Sequence, residues 1–350
     1  MKTAAFVPLW DRKNGICRSE SLMFDGEGRA KLLFPAAKIL KLCNPTLGKV
    51  YAEGRDFIHT PGSDEIRLTP GSAIPFLTEA MIHPDPATAK LYPHPEADAI
   101  ADNVNGRPVI FSNGDFFART QVEADYQTAG SVEFPRPLKM APGQLPLVTA
   151  KLRKKEPVRL LLIGDSISEG YNATGYLKVP PFMPPYIDLF ASGLAERFGA
   201  PVTAVNRAVN GTGCRHALKE PERWAGEEAD LLVIAYGMND FGGMEPAEYA
   251  SVIEEIMELR LGRFPETEFI LVGSMPRNLN WGSLPEGRAE AFVEALRGLE
   301  SEKAAAADVC ALWTRVLAGK DYYSMTGNGV NHPNDYGHRL YAEVLLGLFA

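Results

Sequence analysis

The sequence predicts an α/β domain with a mostly parallel sheet and helices on both faces, preceded by a β-rich, sandwich-like amino-terminal domain. From residue 158 onward, short apolar runs alternate with amphipathic stretches, and strands separated by helices form such sheets. Before that point the chain has short extended runs and much proline: fifteen of its 27 prolines lie in the first 150 of 350 residues. We therefore predict a β-rich domain with a linker over residues 1–150 and an α/β domain over residues 151–350.

The amino-terminal part shows the turn chemistry and alternation of antiparallel strands. Residues 55–60 and 65–69 predict two strands joined by the turn at residues 61–64. Val122, Ala124 and Tyr126 alternate with polar residues, which is typical of a half-buried strand. Residues 135–157 contain Pro135, Pro137, Pro142 and Pro146 and a small basic run, and we expect a linker without regular structure there.

The sequence of the second part predicts strands that alternate with helices. Apolar runs predict strands at residues 158–163, 202–209, 230–236 and 269–272. Helices are expected at residues 186–198, from Pro246 onward, near residues 286–306 and from about Pro333 to the end. The helix that begins at Pro246 is expected to bury the apolar face formed by Val252, Ile253, Ile256 and Leu259.

Composition excludes several function classes. With 36 Lys and Arg against 44 Asp and Glu, the net charge is −8, which argues against nucleic-acid partners and anionic membrane surfaces. No run approaches the roughly 18 apolar residues of a membrane span. Pro8 and Asp11 interrupt the amino terminus before a secretion signal could form, so we expect a cytoplasmic protein. Its four scattered cysteines match neither a disulfide scaffold nor a zinc motif, and the sequence implies no metal and no organic cofactor.

Candidate functional residues follow three of the predicted strands and precede the last helix. They are Ser166 after the first strand, Gly211 after the second, Asn239 after the third, and His332 immediately before Pro333. Each has an ordinary structural explanation when taken alone: a helix cap, two turns and a surface histidine. In a parallel sheet, however, ligands bind where strands end, and these positions therefore meet at one edge.

Together, Gly164-Asp165-Ser166, Gly211, Gly237-x-Asn239-Asp240 and His332-Pro333 resemble the motifs of the SGNH, or GDSL, hydrolases. The resemblance covers roughly 190 residues from about residue 159, and with its β-rich amino-terminal part the chain also resembles the two-domain carbohydrate acetyl esterases among these enzymes. It implies a flavodoxin-like three-layer fold. It further implies Ser166 as the nucleophile, His332 as the general base, and an oxyanion hole of the Ser166 and Gly211 amides and the Asn239 side chain.

The sequence departs from this family at one position. Family members usually carry an aspartate three residues before the catalytic histidine, and that position is Gly329 here. Three explanations compete: a backbone carbonyl or the Asn328 side chain orients His332, a carboxylate such as Asp321 or Asp335 substitutes, or the site is catalytically inactive. We favour the first, with Asn328 as the candidate side chain.

The resemblance implies a serine esterase that acts on acyl esters, acetyl esters in particular, of carbohydrates or other small molecules. Tyr171, Asn172, Arg277 and Trp281 are expected on loops at the carboxyl edge of the sheet, where they suit sugar hydroxyls and ring faces. The alternatives are a non-catalytic carbohydrate-binding protein and a lipase or thioesterase of the same family. The expected partner is thus a small acylated saccharide, with no nucleic acid and no membrane. The first 150 residues could close over the site, bind sugar or mediate homo-oligomer assembly.

Overall fold

The computed structural model describes residues 6–102, 105–281 and 287–350. Antiparallel strands lie before residue 129, and a parallel sheet begins at residue 158. The predicted β-rich amino-terminal part and α/β carboxyl-terminal part are therefore confirmed. The division into two domains at residue 150 stays a prediction.

The amino-terminal part is built from short antiparallel strands. The strands are β1 (Trp10–Asp11), β2 (Ile16–Leu22), β3 (Arg29–Lys31), β4 (Ala36–Asn44), β5 (Lys49–Tyr51), β6 (Phe57–His59), β7 (Glu65–Leu68), β8 (Ala99–Ile100), β9 (Val109–Ile110) and β10 (Val122–Thr128). Two short helices, α1 (Glu79–Ile82) and α2 (Phe116–Thr120), lie among them. Three sheets result, with strand orders β1-β2-β10-β4-β5, β3-β7-β6 and β8-β9.

Two of the sequence predictions in this part are confirmed. Strands β6 and β7 pair antiparallel across the predicted turn, with His59 opposite Ile66. Strand β10 buries Val122, Ala124 and Tyr126 and leaves the residues between them less buried. Its central place between β2 and β4 explains why the alternation in the sequence is so regular, because one face must pack on the core.

The predicted linker contains a helix, α3 (Pro146–Arg153), so the expectation of no regular structure at residues 135–157 is wrong there. Proline is compatible with the first turn of a helix, because its missing N–H would have no partner there. The Glu268 carboxylate accepts the next two free amides, from Leu147 and Val148, at 2.8 Å each. A side chain 120 residues away therefore caps this helix, which no local pattern predicts.

The carboxyl-terminal part alternates strands with helices. The strands are β11 (Val158–Gly164), β12 (Val202–Asn206), β13 (Leu231–Ala235), β14 (Glu268–Gly273) and β15 (Ala304–Asp308). The helices are α4 (Ser166–Glu169), α5 (Thr174–Leu177), α6 (Tyr186–Phe198), α7 (Arg215–Lys219), α8 (Pro246–Arg263), α9 (Arg288–Arg297), α10 (Val309–Leu317), α11 (Tyr322–Met325) and α12 (Asp335–Leu348), with a 3₁₀ turn at Pro221–Arg223.

These strands form a parallel sheet of order β12-β11-β13-β14-β15. This is the flavodoxin-like order, in which the chain leaves β11 to one side and returns on the other. The crevice between the loops after β11, β12 and β13 lies at that reversal. It is where ligands bind in such sheets.

Three details of the predicted elements are wrong. The helix expected near residues 286–306 ends at Arg297, and Ala304–Asp308 form the edge strand β15 instead; residue 286 itself lies outside the described residues. Alanine favours helices, so only the pairing with β14 makes this segment a strand. Strand β12 is also shorter than expected. Leu259, expected on the buried face of α8, is 41% exposed.

Both parts of the chain contribute to one continuous hydrophobic core. None of the helices in the described ranges is long and apolar enough to cross a bilayer.

Candidate active site

The turn after β11 holds Ser166 at the carboxyl edge of the parallel sheet. A β-carbon added at Gly164 would lie 2.5 Å from the Ala235 carbonyl oxygen, so only glycine fits between β11 and β13. The Asp165 side chain caps α4 by accepting the Ile167 N–H at 3.0 Å. Ser166 therefore begins a one-turn helix and is 4% exposed.

Ser166, His332 and Asn172 form a chain of hydrogen bonds. The Ser166 Oγ lies 2.9 Å from His332 Nε2, and His332 Nδ1 lies 2.9 Å from Asn172 Oδ1. Asn172 Nδ2 donates to the carbonyl oxygens of Gly327 (2.8 Å) and Gly114 (3.4 Å). Because those carbonyls only accept, the amide nitrogen must face them and the amide oxygen must face the imidazole. The proton of the neutral ring is thus on Nδ1, and the Nε2 lone pair faces the serine hydroxyl.

Asn328 does not orient the imidazole, so the prediction for this residue is wrong. Its Oδ1 accepts the backbone N–H groups of Val330, Asn331 and His332, each at 3.0 Å, and its Nδ2 donates to Asn331 Oδ1 at 2.9 Å. A single side chain thus organises the loop that carries His332. The contact expected of it belongs to Asn172.

The two candidate carboxylates also have other partners. Asp335 accepts the N–H and the hydroxyl of Thr174 at 2.8 and 2.6 Å, and Asp321 caps α11 by accepting the N–H of Ser324. His332 Nδ1 is already bonded to Asn172. The carboxylate explanation is therefore excluded in this structure.

The crowding around Gly329 explains why no aspartate stands there. Gly329 has a φ of +83°, which disfavours other residues. An added β-carbon would lie 2.8 Å from the Ile110 carbonyl oxygen and 2.9 Å from the Phe117 ring. The amino-terminal part therefore occupies the space that an acidic side chain would need.

Gly211 and Asn239 lie on the loops after β12 and β13 and line the same pocket as Ser166 and His332. The Asn239 amide donates to the Thr212 carbonyl oxygen at 2.9 Å. The buried Asp240 carboxylate connects the two loops by accepting the N–H groups of Cys214 and Gly237, each at 3.0 Å. The structure thus brings the four predicted motifs together at one pocket.

That pocket has a volume of about 410 Å³ and contains residues from both parts of the chain. Its lining consists of Tyr92, Ile100, Phe111, Asn113, Ser166, Tyr171, Asn210, Gly211, Asn239, Trp281, Val330, Asn331 and His332. Among these described lining residues none is an Asp, Glu, Lys or Arg. The described lining of the pocket therefore combines aromatic faces with amide groups.

The residues predicted to bind substrate have three different positions. Tyr171 and Trp281 line the pocket, and the Tyr171 ring lies 5.3 Å from the His332 ring. Arg277 stacks on Trp281, with its guanidinium carbon 4.9 Å from the ring centroid. Asn172 is 2% exposed and its amide is bonded within the protein, so its prediction as a substrate ligand is corrected.

Residues 162–340 match the GDSL-like lipase/acylhydrolase family. The chain belongs to this family. The resemblance noted in the sequence is confirmed.

Solved structures also resemble this GDSL-type protein. A two-domain esterase active on acetylated mannans is 19% identical over 59% of this chain and 53% of its own, with a TM-score of 0.47. A member of the lipolytic G-D-S-L family from Veillonella parvula is 19% identical over 55% and 97%, with a TM-score of 0.43. A lipase/acylhydrolase from Enterococcus faecalis is 21% identical over 54% and 93%, with a TM-score of 0.45. The chain thus spans about half the length of the two-domain esterase. A comparison with curated proteins gives no match.

Burial determines the charge states in the hydrolase site. Burial, with a smaller contribution from the neighbouring His338, lowers the pKa of His332 to about 3. The imidazole is therefore neutral at physiological pH, as a general base must be. Burial raises the pKa of Asp165 to about 7, and the nearby Asp240 carboxylate adds to that effect.

Several site residues were not found from the sequence. Tyr92, Ile100, Phe111 and Asn113 come from the amino-terminal part, and only tertiary packing brings them to the serine. Within the described residues, no group of three His, Cys, Asp or Glu side chains is placed so that it could hold a metal ion.

Proposed function

We propose that this hydrolase is a serine esterase that removes small acyl groups, acetyl in particular, from neutral carbohydrates. Ser166 is the nucleophile, His332 the general base, and Asn172 the residue that positions His332. The observation that supports this most directly is the pair of 2.9 Å hydrogen bonds that join the three side chains.

The first half of the reaction forms an acyl-enzyme. A serine hydroxyl is a weak nucleophile until a base removes its proton during attack. His332 Nε2 takes that proton as Ser166 Oγ bonds to the ester carbonyl carbon. The carbonyl oxygen then carries the negative charge. When the tetrahedral intermediate collapses, His332 returns the proton to the leaving alcohol oxygen, and water repeats the sequence to release the acid.

Three donors would stabilise the oxyanion: the N–H groups of Ser166 and Gly211 and the Asn239 side-chain amide. They gain most when negative charge develops on the oxygen, and losing one such donor typically costs about 3–4 kcal/mol of barrier. The Asp240 bridge between their loops favours a fixed geometry.

Asn172 would hold the ring in the Nδ1–H tautomer without supplying a negative charge. A Cys-His-Asn arrangement in papain-like proteases uses an amide in the same way. An inactive site is therefore not the expectation, even though no carboxylate is bonded to the ring.

The substrate class follows from the lining of the pocket. Aromatic rings and amide groups without charged residues suit a neutral molecule that has apolar ring faces and hydroxyl edges, as an acylated sugar has. The acetyl group is the part of the proposal that comes from the resemblance in the sequence.

The test is hydrolysis of p-nitrophenyl acetate by the intact protein, by Ser166→Ala and by His332→Ala. Each variant should lose at least about 10³-fold in kcat. Ser251→Ala is the matched control, because that hydroxyl is exposed on α8 and bonds only the Ala247 carbonyl oxygen. A fluorophosphonate probe should label the wild type at Ser166 and leave Ser166→Ala unlabelled.

The alternatives give different results. Nitrophenyl esters of increasing chain length should be cleaved more slowly beyond propionyl; faster cleavage of long chains would indicate a lipase or thioesterase. If all proteins are inert and Ser166 is not labelled, the chain is a non-catalytic binding protein and the proposal is wrong.

A further inference from the structure

One wall of the pocket comes from the amino-terminal part. Strands β8 and β9 pair antiparallel, with Ile100 opposite Val109. Ile100, Val109 and Phe111 pack against Val330 in a small buried cluster, and Trp281 lies beside it. Val330 is two residues from His332, so this hairpin contacts the loop that carries the proposed base.

Polar contacts hold the same wall in place. The Ser112 N–H donates to the Asn328 carbonyl oxygen at 3.3 Å, and Asn172 donates to the Gly114 carbonyl oxygen at 3.4 Å. The Phe111 N–H donates to the Asp98 carbonyl oxygen at 2.9 Å. The wall is therefore bonded both to the His332 loop and to the residue that orients the ring.

The position of this wall relative to the reaction follows from proton transfer. His332 must hand its proton to the leaving alcohol oxygen, so the alcohol departs on the His332 side of Ser166. The oxyanion donors Gly211 and Asn239 lie on other loops of the pocket. Groups packed around the His332 loop therefore face the alcohol part of the ester.

The chemistry of the wall fits a sugar ring. Tyr92 is 59% exposed, and its ring lies 5.7 Å from the Phe111 ring at 63°, an edge-to-face contact that supports it. Asn113 is exposed beside it, and Asn331 belongs to the adjacent loop. An aromatic face with neighbouring amides can stack on a pyranose and bond its hydroxyls.

We infer that Tyr92, Ile100, Phe111 and Asn113 form a leaving-group subsite that selects esters of neutral cyclic polyols. This inference rests on the proposed function and adds to it the residues that choose the alcohol. The amino-terminal part is then part of the substrate site.

The experiment compares kcat/KM for an acetylated methyl hexoside with kcat/KM for ethyl acetate, whose alcohol has neither a ring nor further hydroxyl groups. Tyr92→Ala should lower the ratio about 3- to 10-fold, because one aromatic contact is lost. Asn113→Ala should lower it about 5-fold through a lost hydrogen bond. Tyr92→Phe should retain most of the selectivity. Phe76→Ala is the control, because Phe76 is 45% exposed in the same part of the chain and is not among the described residues that line the pocket.

The outcomes separate the two proposals. If the wild type cleaves both esters and neither Tyr92→Ala nor Asn113→Ala changes the ratio, or if Phe76→Ala lowers it equally, the subsite is wrong while the esterase stands. The same holds if the wild type cleaves ethyl acetate but refuses the hexoside. If it cleaves neither and Ser166 is not labelled by the fluorophosphonate, the proposed function fails and the subsite fails with it.

Discussion

The side chain of Asn172 faces partners with opposite hydrogen-bonding needs. Its oxygen accepts from the His332 ring while its nitrogen donates to the Gly327 and Gly114 carbonyl oxygens. An aspartate could serve the ring but would place a carboxylate oxygen against two carbonyl oxygens. An amide satisfies both sides of this buried position.

We therefore expect Asn172→Ala to lower kcat by about 10²–10⁴-fold with little change in KM, since the tautomer is no longer fixed. Asn172→Asp should recover only part of the loss. The measurement is kcat and KM with p-nitrophenyl acetate, with the exposed turn variant Asn14→Ala as the control. A kcat within about threefold of the wild type would contradict the positioning role.

The pH profile tests the charge state of His332. An imidazole acts as a base only when it is neutral, and burial lowers the pKa of His332 to about 3. As the pH falls from 8 to 5, kcat/KM should therefore not decline with the midpoint near 6.5 that an exposed histidine would give. Because burial also raises the pKa of Asp165 to about 7, the profile is repeated with Asp165→Asn. A loss of kcat/KM centred near 6.5 that persists in this variant would show that the ring titrates normally.

The sequence motifs predicted that Ser166 and His332 lie at the same edge of the sheet, but they did not predict the contact between Asn172 and His332. Each motif residue follows or precedes an element whose pattern is visible, so its place at the sheet edge can be deduced. Asn172 is separated from His332 by 160 residues, and only folding brings the two together. The residue type fits its local backbone: asparagine tolerates a left-handed conformation, and Asn172 has a φ of +63°.

The elements that were predicted best have their boundaries encoded locally. Helix α6 (Tyr186–Phe198) begins after Pro185 and ends at Gly199, whose φ of +65° closes the helix. Strand β15 lacks such signals, and its Ala304–Ala307 run would favour a helix in isolation. Its conformation is determined by the neighbouring strand, which single-sequence patterns do not contain.

The capping of helix α3 by Glu268, which is far away in the sequence, can be tested. Glu268 is fully buried and accepts the amides of Leu147 and Val148. Glu268→Ala should lower the free energy of unfolding by about 2 kcal/mol, because one buried and one partly buried N–H group lose their partner. Urea denaturation measures the effect. Glu266→Ala, two residues earlier and exposed, should stay within about 0.5 kcal/mol of the wild type, and equal losses in both would argue against the cap.

Across the whole molecule, buried polar groups join the two parts of the chain. The Lys320 ammonium lies 2.9 Å from the Glu20 carboxylate, with side-chain exposures of 0% and 1%. The Tyr126 hydroxyl donates to the other Glu20 oxygen at 2.7 Å. Asn334, one residue before α12, donates to Ser21 and to Gln121. Such groups require close partners, so the two parts cannot separate without leaving them unpaired.

Removing one member of the buried Lys320–Glu20 pair should destabilise the protein, because the other member loses its partner. Lys320→Met leaves the Glu20 carboxylate without its cation and should cost about 3–5 kcal/mol of unfolding free energy. Adding Glu20→Gln should recover part of the loss, because no uncompensated charge remains. Lys320→Met, Glu20→Gln, the double variant and the wild type form a double-mutant cycle, measured by urea denaturation. Additive losses would show that the pair is not coupled.

The backbone of Ile110 and the ring of Phe117 press on Gly329, three residues before the histidine. Because of this contact, the conformation of the His332 loop depends on the amino-terminal part, and replacing that part would test the dependence. Joining another amino-terminal region to residues 151–350 would remove the contacts of Ile110 and Phe117 that support the His332 loop. Conversely, Gly329→Asp would bring the carboxylate of related enzymes into a space already filled. The amino-terminal contacts at Gly329 and the Asn172–His332 hydrogen bond thus take the place of that carboxylate, and they have to be kept or replaced together.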